Sequence, residues 1–583
     1  MKRETMNREA RFQALKRIAT SFCVAVACAG IGWAARRAAA PAAEPLSRYV
    51  PAGPLLYLEA KNFSSLLSDW NSSQQKQEWI HSDSREVFSR SRLFLRLKGA
   101  GDQFAAAAGL PPDMNFLSQV SGEHSALALY DIGNLQFLYV TYLPSARSMQ
   151  TTLWQTRAKF EPRNAGGVDF YLRRDPESQR EVAFAVAGDY LLLATREDLM
   201  AGALQLMSGK QGRIIETEPW WTQSTAAAGH EGDLRMVLDL AQLVPNGYFR
   251  TYWVQQNITD LSQYSAAVSD LFLLSGKEYR EERVLIRKKQ VSTQTSSDTS
   301  AAAADLARLV PADAGMYVAT VNPSADSCFA LLETKLLAPR LRPAPPSQIA
   351  PQVQLTSGES GGGADLETQI DQPPAERPAA QRSTAALKEL LDQASLQASL
   401  QVQTTERDEA GVFVRIRSAV VLEATSDWNE AATELALVDF VRPSLTASQL
   451  GAGWLQEAGY KQLDGLMPLV VSVRGKHLLV SDDPALMQAL LANFNRKAIQ
   501  TPADLLAAFN HEHERANFSR FAGLVDGSNM AMAGAQGAAH QPQFFSGNLA
   551  SLSASVAGVA SEKIEVRSDG DKVFQTVTYQ WSQ

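Results

Sequence analysis

Arg48-Tyr49-Val50-Pro51-Ala52, followed by Leu56-Tyr57-Leu58, returns without a gap as Arg308-Leu309-Val310-Pro311-Ala312, followed by Met316-Tyr317-Val318. Further along, Gly188, Tyr190-Leu191-Leu192-Leu193 and Leu199-Met200 return as Gly475, His477-Leu478-Leu479-Val480 and Leu486-Met487. Two matches kept in the same order point to a duplicated supersecondary plan. Each copy reads as α+β. Residues 55–60 form a short apolar run, after which Phe63, Leu66, Leu67 and Trp70 fall at i, i+3, i+4 and i+7 on one helix face that Asn62 would cap. Residues 87–97 and 102–109 read as two more helices, ended by Leu110-Pro111-Pro112-Asp113. Residues 125–130 and 135–143 read as a hairpin across Asp131-Ile132-Gly133-Asn134. A helix over 146–160 is followed by strands at 168–172, 181–187 and 190–195, with Gly188-Asp189 as a two-residue turn. Then come a helix over 196–207 and strands at 234–240 and 281–288. In the second copy, 521–526 and 573–581 occupy the places of the closing strands, and 501–509 reads as a capped helix. Meander connections of this kind predict an antiparallel sheet with helices packed on one face.

The 583 residues suffice for two or three domains. The first copy is assigned to 46–290, a Ser/Thr/Ala-rich linker to 291–304, and the second copy to 305–583. The extra length of the second copy lies at 337–384, rich in Pro, Gln, Ser and Gly and without aromatics, which reads as a disordered insertion. Hydrophobic residues at 45% and aromatics at 8% exclude a wholly disordered, collagen-like or multi-spanning chain.

The net charge is −7, but residues 1–37 alone carry +6, leaving −13 for the rest. An acidic body argues against a nucleic-acid partner. Residues 18–35 are uncharged and would span about 27 Å as a helix, against roughly 30 Å of hydrocarbon. With the basic tip 1–17 held in the cytoplasm, they read as a single anchor to the inner membrane and send the body into the periplasm of a bacterium. A cleaved secretory signal ending near Ala38-Ala39-Ala40 and lipidation of Cys28 are the alternatives. Cys23 and Cys28 lie in this segment, so Cys328 is the single cysteine of the body and no intrachain disulfide can form there.

No local motif carries catalysis. Gly358-Glu359-Ser360-Gly361-Gly362 fits G-x-S-x-G without the strand and helix that would expose its serine. Ser73-Gln74-Gln75-Lys76 fits S-x-x-K without its partner motifs and reads as a polar helix face. His511-Glu512-His513-Glu514 concentrates metal ligands, but histidines two apart diverge on a helix, so it reads as a solvated helix end. No catalytic residue, cofactor or metal site is therefore assigned. Arg85, Arg90, Arg92, Arg96 and Lys98 form the most basic stretch of the body, a charged helix face that would also suit anionic headgroups.

The two copies differ in their aromatics. Residues 46–290 hold 6 Trp and 11 Tyr, residues 303–583 hold 3 of each, and Phe is nearly even at 11 and 10. Trp and Tyr join an apolar body to a polar handle and are enriched at interfaces, which points to a contact surface on the first copy. Trp220, Trp221, Tyr248, Tyr252 and Trp253 are the candidates.

The run Leu56-Tyr57-Leu58-Glu59-Ala60-Lys61-Asn62-Phe63-Ser64-Ser65-Leu66-Leu67-Ser68-Asp69-Trp70 resembles, together with Phe88-Ser89-Arg90-Ser91-Arg92-Leu93-Phe94 and Ala126-Leu127-Ala128-Leu129-Tyr130-Asp131-Ile132-Gly133, a bacterial family of exported proteins catalogued only as a domain of unknown function. The resemblance covers most of the first copy, more faintly the second, and implies an envelope location with no activity to carry over. The sequence thus reads as a membrane-anchored periplasmic binding or scaffold protein acting on an envelope protein partner. A cell-wall glycan binder, or a hydrolase whose site is assembled from distant residues, are the alternatives.

Overall fold

The computed structural model describes residues 45–81, 85, 88–252, 261–275, 277–289, 301–337, 384–407, 414–445, 453–463, 468–497, 502–515 and 558–582. The anchor expected at 18–35, almost all of the insertion expected at 337–384 and the strand expected at 521–526 lie outside them. The chain divides into two compact units, one of Met1–Thr295, Arg407–Val414 and Ala503–Gln583, the other of Ser296–Glu406 and Arg415–Pro502. Helices and antiparallel strands make the protein α+β.

The strands of the first unit begin with β1 (Leu56–Lys61), β2 (His124–Asp131), β3 (Gln136–Tyr142), β4 (Glu161–Ala165) and β5 (Val168–Arg174). They continue with β6 (Glu181–Ala187), β7 (Tyr190–Ala194), β8 (Leu234–Asp239), β9 (Tyr264–Ser275) and β10 (Glu278–Arg287). The second unit contributes β11 (Met316–Val321), β12 (Leu396–Arg407), β13 (Val414–Ala424), β14 (Trp454–Gln456), β15 (Lys461–Leu463), β16 (Leu469–Arg474) and β17 (His477–Ser481). The chain then returns to the first unit with β18 (Leu505–Asn510), β19 (Val559–Asp569) and β20 (Lys572–Trp581).

In the first unit β1 is central, its Tyr57 facing Ala128 of β2 on one side and Val237 of β8 on the other. Antiparallel pairing runs outward as β2, β3, β7, β6, β5 and β4 in one direction. In the other it runs as β8, β9, β10, β20, β19 and β18. The compact units therefore do not follow the copy boundaries expected at 290 and 305, because the last hairpin of the chain docks on β10 from Glu278 to Ile286. Strict alternation sets this register: Val573, Gln575, Val577 and Tyr579 turn inward along β20. Tyr279 stacks on Tyr579 at 4.8 Å across the join. At the far end Pro162 in β4 lacks an N–H and blunts a ladder that would otherwise recruit another strand.

The helices that matter to the first unit are α1 (Phe63–Ser72), α2 (Arg92–Ala108), α3 (Glu197–Met207), α4 (Pro219–Ala227) and α5 (Gly247–Tyr252). They cover both faces of β3, β6 and β7, not the single face expected. Leu192, Ala183 and Val140 face the cluster under α3 and α4, while Leu191, Leu193, Phe184 and Tyr139 face the one under α2. An unbroken run such as Leu191-Leu192-Leu193 offers no polar side to solvent and requires cover on both faces. Each such buried leucine stabilises by roughly 1.5–3 kcal/mol relative to exposure.

Other expectations differ locally. The helices at 87–97 and 102–109 are one, α2, capped by Ser91 and ended by left-handed Gly109. Asn62 makes no side-chain cap and sits at φ 56. The helix expected over 146–160 breaks into Ser145–Ser148, Thr152–Gln155 and a tight turn at Arg157–Lys159. Hydroxyls divert it: Ser148 Oγ bonds the Leu143 carbonyl at 2.9 Å and Thr151 Oγ1 caps Trp154. The helix expected over 501–509 is replaced by β18, because pairing with β19 overrides the weak preference of Leu505-Leu506-Ala507-Ala508.

In the second unit β11 pairs β12, and β13 pairs β17, which continues through β16 and β15 to β14. Its helices are α6 (Ala302–Ala307), α7 (Ala325–Leu332), α8 (Ala385–Gln393), α9 (Glu430–Leu445) and α10 (Pro484–Ala492). The linker expected at 291–304 thus ends inside α6, where Ala303 and Ala304 are fully buried. Leu332, Leu387, Leu422, Leu437, Phe440 and Val480 share one core, with Cys328 as a small apolar filler.

Candidate functional site

Trp220 and Trp221 are not on a surface. Both are 8% exposed on α4, just after Pro219 in its first turn, and Trp221 meets the ring of Tyr57 edge-on at 4.9 Å. In a strand two adjacent side chains would point to opposite faces. On a helix they sit about 100° apart, and both pack toward the sheet. Trp253 lies outside the described residues, as does the side chain of Tyr252.

Tyr248 remains, 47% exposed at the start of α5. Arg96 of α2 lies 5.6 Å from its ring centroid and donates to the carbonyl of Gly133 in the β2–β3 turn. A Cβ on Gly133 would come within 2.3 Å of the tyrosine ring, so only glycine permits the approach. Arg180 clamps the same turn, donating to the Asn134 carbonyl and, at 3.0 Å, to Gln103 Oε1. Burial, with the charge of Arg96 in addition, pushes the Arg180 guanidinium below its ordinary range. The second half of α2 enters the core through Phe104, Ala107 and Ala108. Its first half projects, with Leu95 at 57% and Leu97 at 44% exposure, flanked by exposed Arg96 and Lys98. Arg96 and Tyr248 therefore make an exposed cation–aromatic pair, with Leu95 and Leu97 exposed on either side of Arg96 around the helix.

The middle of the first unit holds a polar network. Glu59 Oε1 lies 2.7 Å from His124 Nε2 and accepts the Leu46 N–H at 3.3 Å. Burial alone would raise this carboxyl; His124 and the Leu46 N–H outweigh it and hold Glu59 below the usual range. Burial, then Glu59, pushes the Tyr57 phenol well up. Arg235 grips Asp270 with two bonds of 2.8 Å. The Glu59–His124 pair joins β1 to β2, and the Arg235–Asp270 pair joins β8 to β9.

The second unit holds a different cluster, assembled from three elements. Pairing of β13 with β17 sets Glu423 opposite His477, and α6 brings Asp305 alongside. One ligand atom of each lies within 4.8 Å of the other two. Glu423 Oε2 and His477 Nε2 are inaccessible to solvent and have no hydrogen-bond partner. Asp305 is held by Arg308, Nε to Oδ1 at 2.9 Å and Nη2 to Oδ2 at 3.3 Å. Burial, reinforced by Asp305, raises the Glu423 carboxyl; burial also lowers the His477 imidazole. No motif links these residues in sequence, and only the strand register could have revealed the pair.

The motifs singled out from sequence resolve differently. His511 faces Glu562 at 3.4 Å, whereas His513 faces Glu514 at 2.9 Å, so the two histidines serve separate carboxylates. Ser73 Oγ accepts the Lys76 N–H as a helix cap, and Lys76 Nζ turns to Asn71 Oδ1 at 2.6 Å. Residues 358–362 lie outside the described ones. Among the described residues, no helix is long and apolar enough to cross a membrane.

No family model matches the chain, and no curated protein matches it. A solved structure of TP0453, in its crystal form III, aligns over 43% of this chain and 83% of its own at 10% identity, with a TM-score of 0.21. A score that low carries no argument about fold or function.

Proposed function

We propose that the protein is a membrane-anchored periplasmic protein that acts by binding an envelope protein partner through the exposed surface around Arg96 and Tyr248, with Leu95 and Leu97 on either side of the arginine. The observation that carries the reading is the exposed first half of α2. Leu95 and Leu97 gain nothing by facing water there, and Arg96 between them is itself fixed by two directed contacts, to the Tyr248 ring and the Gly133 carbonyl. A tyrosine paired with an arginine is the composition of an interface hot spot. The uncharged run at 18–35 behind the basic tip 1–17 supports the location.

The body is read as two related copies. Support comes from local structure at the matched residues: Gly188 and Gly475 both take left-handed backbone, at φ 57 and 56, in two-residue hairpin turns. Each hairpin is followed by a helix, α3 or α10, and β1 and β11 are each followed by α1 or α7.

The test is to introduce Leu95→Glu and Leu97→Glu together in the full-length chain, crosslink in intact cells and purify from membranes. The partner recovered with the wild type should be lost, with the melting temperature unchanged because neither side chain is in the core. Retention of the same partner would refute the patch.

A further inference from the structure

We propose that Asp305, Glu423 and His477 form a site for one divalent transition-metal cation of the zinc class. Two unpartnered, solvent-inaccessible atoms are the starting point: a carboxylate oxygen of Glu423 and the Nε2 lone pair of His477, fixed opposite each other by the β13–β17 register. Buried polar atoms are rarely left unpaired, and a cation satisfies both at once. Around a tetrahedral ion with bonds of 2.0–2.2 Å, ligand atoms lie about 3.3–3.6 Å apart. The cluster spans no more than 4.8 Å, so side-chain rotations that move the ligand atoms by about an ångström close it.

The surroundings match what a metal-ligating histidine needs. His477 hydrogen-bonds the backbone of Arg474 across the hairpin turn, which leaves Nε2 as the bare acceptor facing the carboxylates. Arg308 orients Asp305 with a forked contact while giving its remaining donors to the carbonyls of Phe494 and Arg496, the latter at 3.2 Å. Each Asp305 oxygen keeps a lone pair for a metal. One imidazole and two carboxylates favour zinc, iron(II) or manganese(II) over magnesium and calcium, which take all-oxygen sets. The cations whose charges act on Glu423 and His477 are Arg308 and Lys476, and the first of these offsets one carboxylate charge. Protons compete with the metal at Glu423, so affinity falls as pH falls.

The test uses the full-length chain in detergent, stripped with a chelator and titrated with zinc against a competing chromophoric chelator. The wild type should take up one zinc per chain with a rise in melting temperature, and magnesium at the same concentration should give no rise. Glu423→Gln and His477→Gln should each weaken uptake at least tenfold, while His513→Ala should leave it unchanged. Glu423→Gln preserves shape and neutralises the carboxylate, so it carries the test even if the histidine variant does not fold. A wild type that takes up no zinc, a Glu423→Gln protein that binds it as tightly, or loss on His513→Ala would each overturn the site.

Discussion

Glu59 shows how a single side chain sets the pH response of the first unit. It is buried beside His124, and its folded value lies below the ordinary 4.5. A carboxylate depressed on folding contributes stability that is complete above its unfolded value and is lost as pH falls through the folded one. Urea unfolding of the wild type should therefore lose stability below about pH 4.5. Glu59→Gln should be less stable at neutral pH and flatter through the acid range; an identical slope in both proteins would remove Glu59 from the account. The role of Glu59 was not legible beforehand, since it reads as one polar position inside an apolar run. Tyr248 was a contact candidate because tyrosine joins an apolar body to a polar handle, and it is exposed. Trp220 and Trp221 were misjudged for a physical reason: the same adjacency that splits residues across a strand leaves them together on a helix beginning at Pro219.

At the scale of elements, strands with sharp turns were the most legible. The β6–β7 hairpin follows from one glycine, Gly188, whose φ of 57 carries Ala187 back to pair with Tyr190. A Cβ at Gly188 would meet nothing within 4 Å, so Gly188→Ala should cost about 1–2 kcal/mol from backbone strain alone. Asparagine at the same position should recover part of that loss; a neutral alanine variant in chemical denaturation would contradict the turn. Elements without such a signal were missed or misread. The β4 sequence Glu-Pro-Arg-Asn-Ala carries no alternating apolar pattern and is a strand only because β5 offers it a ladder. The β18 sequence reads as a helix and is a strand because β19 does the same. Serine and threonine hydroxyls broke the helix expected after residue 146, an effect that hydrophobic spacing does not register.

For the whole molecule, the α+β class was legible from the order of strands and helices. The docking of β19 and β20 on β10 was not, since pairing between residues so far apart in the chain leaves no local trace. That docking makes the end of the chain structural. Val577 is 1% exposed on β20, and Val577→Asp should destabilise the first unit by about 4 kcal/mol or more. Circular dichroism melts would show it, and an unchanged melt would contradict the register. The Asp305, Glu423 and His477 cluster was illegible for the same reason, being made by register and not by spacing. The central claim is that the projecting half of α2 and Tyr248 meet a protein partner. It is tested most directly by placing a photo-crosslinking residue at position 97, at position 248, or at the equally exposed position 149, and irradiating intact cells. The account predicts one discrete protein adduct, shared by positions 97 and 248 and absent at 149; no adduct at 97 and 248, or the same adduct at all three positions, would contradict it.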